Sequence, residues 1–155
     1  MTKRSATHAT FVIEREYAHP PAKIFAAYAD PAKKAKWFGG PPEWSRLEHT
    51  CEFRVGGKEI ESGGPPGGAV HKMSGVYWDI VENERIVLSY EMQLDETRIS
   101  VSLGTTEFKA SATGTTPTYT EQGVYLDGYD DAGQREEGTR ELFDQLGRFL
   151  DSDEA

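Results

Sequence analysis

Asp131-Ala-Gly-Gln-Arg-Glu-Glu-Gly-Thr-Arg-Glu-Leu-Phe-Asp-Gln-Leu-Gly-Arg-Phe-Leu-Asp151 closes the chain with a helical pattern. Leu142, Leu146, Phe149 and Leu150 form one apolar stripe at helical spacing, with Phe143 at its margin. Asp131 followed by Gln134 resembles a capping box, and Glu136 and Glu137 complement the positive end of the helix dipole. Gly138 and Gly147 each cost about 1 kcal/mol relative to Ala in a helix interior. That cost predicts a close approach to the backbone there, by sheet residues or by a ligand. Most of what precedes this helix reads as strands and turns. A long helix against one side of a large antiparallel sheet tends to bend the sheet around itself and can leave a cavity.

Outward from the helix, Thr97–Ala112 and Thr116–Leu126 read as a hairpin turning at Thr113-Gly114-Thr115. Val70–Val81 and Arg85–Met92 read as another, across Glu82-Asn83-Glu84. Ser62–Gly68, rich in Gly and Pro, is expected to be an exposed loop, after a strand from Trp44 to Val55 and a short one from Lys58 to Glu61. Phe11–Tyr17 alternates as a first strand, with Phe11, Ile13, Arg15 and Tyr17 on one face. Pro21 opens a short helix carrying Ile24, Phe25 and Tyr28, and Asp30-Pro31 caps and opens a second, Ala32–Trp37. Gly39-Gly40-Pro41-Pro42 ends it. The expected architecture is α+β: a curved antiparallel sheet of six or seven strands around the C-terminal helix, with two short helices after strand 1. One domain is expected over 1–155, with residues 1–7 as a disordered lead-in.

The 155 residues suffice for one well-buried domain, and 11% of them are aromatic. A formal net charge of −9 argues against phosphate backbones and anionic membranes as partners. The single cysteine, Cys51, excludes an internal disulfide and fits a reducing, cytoplasmic compartment. Met1–Thr10 has no apolar run to follow its basic residues, so no secretory signal is read there. No stretch is apolar enough to span a membrane.

The element order is that of the helix-grip fold, and particular motifs narrow it. Phe11-Val-Ile-Glu-Arg-Glu-Tyr17, Pro21-Ala-Lys-Ile-Phe25, Asp30-Pro31 and Trp37-Phe38-Gly39 resemble the opening of proteins related to the activator of Hsp90 ATPase. Gly75-Val-Tyr77, Glu84-Arg-Ile-Val87 and Glu121-Gln-Gly123, leading to Gly138 and Leu142, resemble the remainder. The resemblance covers residues 9 to 150 and implies a START-like, Bet v 1-like (SRPBCC) fold with a cavity. Thr139 stands where the family often has a large aromatic, and Thr118 and Thr120 where its last strand is usually aliphatic, which implies a more polar pocket.

Known catalytic motifs are missing. His8, His19, His49 and His71 are scattered without metal-ligand spacing, and Asp127, Asp130 and Asp131 lack the EF-hand order. There is no nucleophile elbow, and Pro65-Pro66 removes donors that a phosphate loop would need. No metal and no cofactor is therefore expected. The aromatic set Trp37, Phe38, Trp44, Tyr77, Trp78 and Tyr90 lies on elements that the helix-grip order brings round one concavity, and it serves either a filled core or a pocket. Trp37-Phe38 is the candidate mouth. Arg15 is expected to point inward, paired with Glu59, Glu61 or Glu107 or anchoring an anionic ligand group. His71 and Tyr77 share a strand face and could orient a ligand or move a proton. The candidate cavity set is Arg15, Trp37, Phe38, Trp44, His71, Tyr77, Trp78, Tyr90, Thr118, Thr120, Gly138 and Leu142.

The leading expectation is an intracellular protein that holds a small apolar or amphipathic molecule between sheet and C-terminal helix. The alternatives are a cyclase-, aromatase- or hydrolase-like enzyme using His71, Tyr77 or Arg15 in the same cavity, or a chaperone-linked interaction protein. A homodimer is a further open expectation.

Overall fold

A computed structural model describes residues 3–155. Its elements in chain order are β1 (Ala6–Glu14), α1 (Pro21–Ala29), α2 (Pro31–Trp37), β2 (Ser45–Cys51), β3 (Lys58–Gly64), β4 (His71–Val81), β5 (Arg85–Leu94), β6 (Thr97–Ser111), β7 (Gly114–Leu126) and α3 (Ala132–Leu150). The seven strands form one sheet in the order β1-β7-β6-β5-β4-β3-β2, with every neighbouring pair antiparallel. Short hairpins join β2 through β7, while β1 returns to pair with β7. Register shifts after Arg46, Tyr77 and Met92 mark bulges, which bend a sheet and increase its twist. This is the helix-grip fold that the element order predicted.

Strand alternation sets the inner face. Phe11 and Ile13 of β1 lie opposite Glu121 and Tyr119 of β7. Those two lie opposite Gly104 and Thr106 of β6. The same side carries Ile86, Leu88, Tyr90 and Met92 of β5, opposite Thr106, Gly104, Ser102 and Ser100. Tyr77 of β4 continues it, opposite Leu88. Against this face α3 lays Phe143, Leu146, Phe149 and Leu150, all buried. Each such side chain is worth about 1.5–3 kcal/mol of burial. Phe143, expected at the stripe's margin, is at its centre, and Leu142 is only half-buried.

The first short helices close one end of the concavity with aromatic rings. Phe53, Phe25, Phe108, Tyr28 and Trp37 stack edge to face in sequence, with centroids 4.9–5.6 Å apart. The Trp37 indole nitrogen donates to the Ala27 carbonyl at 3.0 Å, so its one polar atom is satisfied.

Two segments differ from the sequence expectation. The Trp44–Val55 strand stops at Cys51, because Glu52–Gly57 folds into a turn that bonds the Tyr77 backbone from Gly56 N (2.7 Å) and to Gly57 O (3.0 Å). Ser62–Gly64, expected in the loop, instead extends β3 opposite Lys72 and His71 of β4. Of the expected lead-in 1–7, residues 1–2 lie outside the described residues. The rest is tied down: Arg4 and the Ser5 amide both bond the Asp127 carboxylate, at 3.0 and 2.9 Å, and Ala6 already pairs with Leu126. Among the described residues no helix is long and apolar enough to cross a membrane.

Candidate functional site

Between the inner face of the sheet and α3 lies a cavity of ≈ 720 Å³, within the usual range for small-molecule sites. Its apolar wall comes from Tyr28, Trp37, Phe38, Met73, Leu88 and Met92, with Leu142 and Phe143 on the helix side. The loop Gly39–Ser45 borders the mouth, where the Trp44 ring lies 4.6 Å from that of His71. Burial pulls the His71 imidazole below its ordinary range, and Asp130 and Asp95 offset part of that. Neutral His71 therefore predominates at neutral pH.

Three polar clusters border this wall. In the first, α2 is seven residues long, so Lys34 and Trp37, three positions apart, both face the sheet. Lys34 Nζ donates to Glu59 Oε1 at 2.6 Å and lies 4.4 Å from the centre of the Phe38 ring. Tyr77 donates to the same oxygen at 2.7 Å, and His49 Nε2 is 3.1 Å from Glu59 Oε2. Burial alone would raise the Glu59 carboxyl. The Lys34 ammonium and the hydrogen bonds from His49, Lys34 and Tyr77 overturn that and bring it down to about 2. Burial, then the Glu59 charge, pushes the Tyr77 hydroxyl well up, so it stays a proton donor. Cys51 Sγ lies 3.4 Å from that hydroxyl, and its thiol is raised by burial and by Glu59, which keeps it protonated.

In the second cluster, Arg46 Nε donates to Glu61 Oε1 at 3.1 Å, and its two terminal nitrogens bond the Ala35 and Phe38 carbonyls at the end of α2. Gly39 makes this staple possible. Its φ is +144°, and a Cβ there would come within 2.9 Å of both Arg46 Nη2 and Glu61 Oε1. Burial raises the Glu61 carboxyl despite Arg46.

The third cluster stands at the N-terminal end of α3. Arg135 is one turn before Thr139 and two before Phe143, so it continues the inward stripe and is buried. It donates to the Tyr90 hydroxyl at 2.9 Å, and at 2.8 Å to both Ser100 Oγ and Asp130 Oδ2. Tyr90 and Tyr119 in turn donate to Glu121 Oε1, at 2.9 and 2.6 Å. Glu121 Oε2 is 3.6 Å from Arg135 Nη1, an ion pair without a hydrogen bond. Burial opposes the Arg135 charge, but Tyr90, Glu121 and Asp130 outweigh it and hold the guanidinium charged.

Of the residues singled out in the sequence, Trp37, Phe38, Trp44, His71, Tyr77, Tyr90, Gly138 and Leu142 border the cavity. The other four do not. Arg15 comes after β1 has ended, and its guanidinium reaches Asp144 (2.5 Å) and the Arg140 carbonyl on α3. There it joins Tyr17, which donates to the Phe143 carbonyl at 2.8 Å, in fastening the helix to the sheet. Glu59 and Glu61, its expected partners, are held by Lys34 and Arg46 instead. Trp78 follows inward-facing Tyr77 and so faces out, 60% exposed. Thr118 and Thr120 flank Tyr119 in β7 and lie on the outer face, so the polar pocket they were expected to make comes instead from Tyr119, Glu121 and Arg135. Thr139 is buried and donates to the Arg135 carbonyl at 2.8 Å. The close approach expected at the helix glycines occurs at Gly147, where an added Cβ would lie 3.2 Å from the Tyr17 ring. Beyond Gly138 there is open space at the mouth.

His71 and Tyr77 stand six residues apart on the inner face of β4, and Arg15 is elsewhere. The expected acid–base trio therefore does not converge. No group of three or more His, Cys, Asp or Glu suited to a metal ion occurs among the described residues.

A bent antiparallel sheet closed over a cavity by a C-terminal helix defines a START-like, helix-grip protein. The chain belongs to the family described as activator of Hsp90 ATPase homolog 1-like protein, whose pattern it matches over residues 18–151. An uncharacterized protein from Rhizobium leguminosarum has the same fold at 46% identity and a TM-score of 0.91, over 96% of this chain and 98% of that one. A Rhizobium loti protein is similar at 41% identity and 0.86, over 94% and 99%. An Aeromonas hydrophila protein described as AHSA1-like shares the fold at 17% identity and 0.69, over 92% of each chain. No functionally curated protein matches the chain in sequence.

Proposed function

We propose that the chain binds a small, partly apolar molecule in the cavity between sheet and α3. The observation that carries this reading is the cavity itself: ≈ 720 Å³ bounded by aromatic, Met and Leu side chains, in a fold otherwise packed with interlocking rings. Its polar groups bear on what the molecule is. Lys34, Arg46 and Arg135 already serve Glu59, Glu61 and the Asp130–Glu121 pair, so a ligand carboxylate or phosphate would have to compete with internal carboxylates. A neutral body with one or two hydrogen-bonding groups suits the site better, since buried polar groups left unpaired by a ligand cost affinity. His71, the Tyr28 hydroxyl and Glu121 Oε2, the last two buried without a hydrogen-bond partner, are the groups that would orient it. The START-like, helix-grip fold supports ligand binding in general terms.

The test is native mass spectrometry of the purified protein, followed by thermal-shift screening with matched neutral and carboxylate forms of naphthalene- and sterol-sized compounds. A copurifying neutral species, or stabilisation by neutral members above their carboxylates, is the expected result. No copurifying mass and no stabilisation by any member would sink the reading.

A further inference from the structure

The outer face of the sheet carries a neutral, partly apolar band that neither core nor cavity uses. Trp78 on β4 is 60% exposed, and its indole donates to Ser89 Oγ on β5 at 2.7 Å. Ser89 lies opposite Leu103 on β6, which lies opposite Gln122 on β7, which lies opposite Thr10 on β1. Val12, the next outward residue of β1, is 53% exposed, and Val101 and Leu103 are 41% and 38% exposed. The solvated face of an antiparallel sheet is ordinarily polar. Here five strands present Trp, Val, Leu, Thr, Ser and Gln. The charged residues among these rows are paired: Glu91 with Arg98 at 2.7 Å, and Asp79, opposite Val87, with Arg85 at 2.5 Å.

The distribution of charge says what can cover this face. Residues 130–155 hold nine acidic and three basic side chains, so six of the chain's nine net negative charges belong to α3 and its flanks. That helix lies on the other side of the sheet, as the Tyr119–Phe143 ring contact (5.7 Å) and the Arg135–Tyr90 bond fix it. We propose that the outer face is a homodimer interface, with two copies packed sheet to sheet. Self-association through the helix side would press acidic surfaces together. Back to back, two sheets about 10 Å apart place both helices outermost, beyond a Debye length of about 8 Å. A two-fold contact of this kind is self-complementary, and Trp, exposed here on β4, is among the residues enriched at interface centres.

Sedimentation velocity on the full chain, from about 1 to 100 µM, reads this directly. The expected result is a concentration-dependent dimer in the wild type. Leu103→Glu and, separately, Trp78→Ser should each weaken it at least tenfold with circular dichroism unchanged. Leu47→Glu, exposed on β2 beside the Pro65–Ala69 turn and away from the band, should leave it intact. Two variants guard against one failing to fold. A wild type that stays monomeric at the highest concentration overturns the proposal and leaves the band to a different partner. A dimer indifferent to both substitutions overturns it too. None of these outcomes bears on the cavity, which the ligand screen tests separately.

Discussion

Lys34 Nζ meets Glu59 Oε1 at 2.6 Å in a place where the two side chains are 5% and 0% exposed. A buried ion pair adds little net stability over apolar residues of the same shape, because both charges lose their water. Removing one partner is another matter, since the survivor is stranded. Lys34→Met or Glu59→Leu alone should destabilise the fold by about 3–5 kcal/mol, lowering Tm by roughly 10 °C at about 2–4 °C per kcal/mol. The double variant should recover only part of that loss, because Tyr77 and His49 still lose the carboxylate they bond. A double-mutant cycle by denaturant unfolding checks it, and additive single effects would remove the pair from the account.

The same carboxylate makes stability depend on pH in a definite direction. Glu59 sits at about 2 in the folded protein against an ordinary value of 4.5. The unfolded chain therefore takes up its proton first as pH falls. Its contribution is fully present above about pH 4.5 and is lost on the way down to about 2; a shift of that size corresponds to roughly 3 kcal/mol. Glu61 acts oppositely: its raised carboxyl contributes stability below its unfolded value, and this is lost as pH rises through the folded one. Urea unfolding from pH 7 to pH 2 should show the gap between wild type and Glu59→Gln narrowing below about pH 4.5. A gap that stays constant over that span would contradict the assignment.

The residues that misled the sequence reading and those it missed share a cause. Period-two alternation makes Phe11 and Ile13 inward, but a single sequence does not tell which residue of another strand stands opposite. The register Phe11↔Glu121 and Ile13↔Tyr119 decides that β7 turns Tyr119 and Glu121 inward and Thr118 and Thr120 out. Tyr77 and Trp78 are adjacent in one strand, and alternation separates them even beside the bulge, Tyr77 inward and buried and Trp78 outward. Arg15 keeps its backbone bond to β7, from its amide to the Pro117 carbonyl, but its side chain is taken up by Asp144 on α3 and not by the cavity. Lys34 is hidden among Lys33 and Lys36 in a run that looks solvated, and only its approach to Glu59 across the fold gives it a role. Arg135 was the more legible omission, because it lies on the helix stripe extended two turns back from Phe143. The fold depends on patterns local to each segment, which the sequence displays. The polar clusters depend on pairings between distant segments, which it does not.

Met92 offers a way to separate an occupied cavity from a merely unfilled one. It lies on β5 opposite Ser100, two residues from Tyr90 on the same face, and borders the cavity. Met92→Trp adds bulk where there is free volume, so overpacking, which typically costs about 1–3 kcal/mol in a filled core, should cost less here. If a molecule of the size of the cavity is the natural occupant, the variant should keep its Tm within a few degrees. It should also lose both the copurifying mass and the stabilisation given by neutral ligands. Unchanged ligand-induced stabilisation would move binding away from this wall. A large fall in Tm would instead mean that the space beside Met92 is already filled by the protein itself.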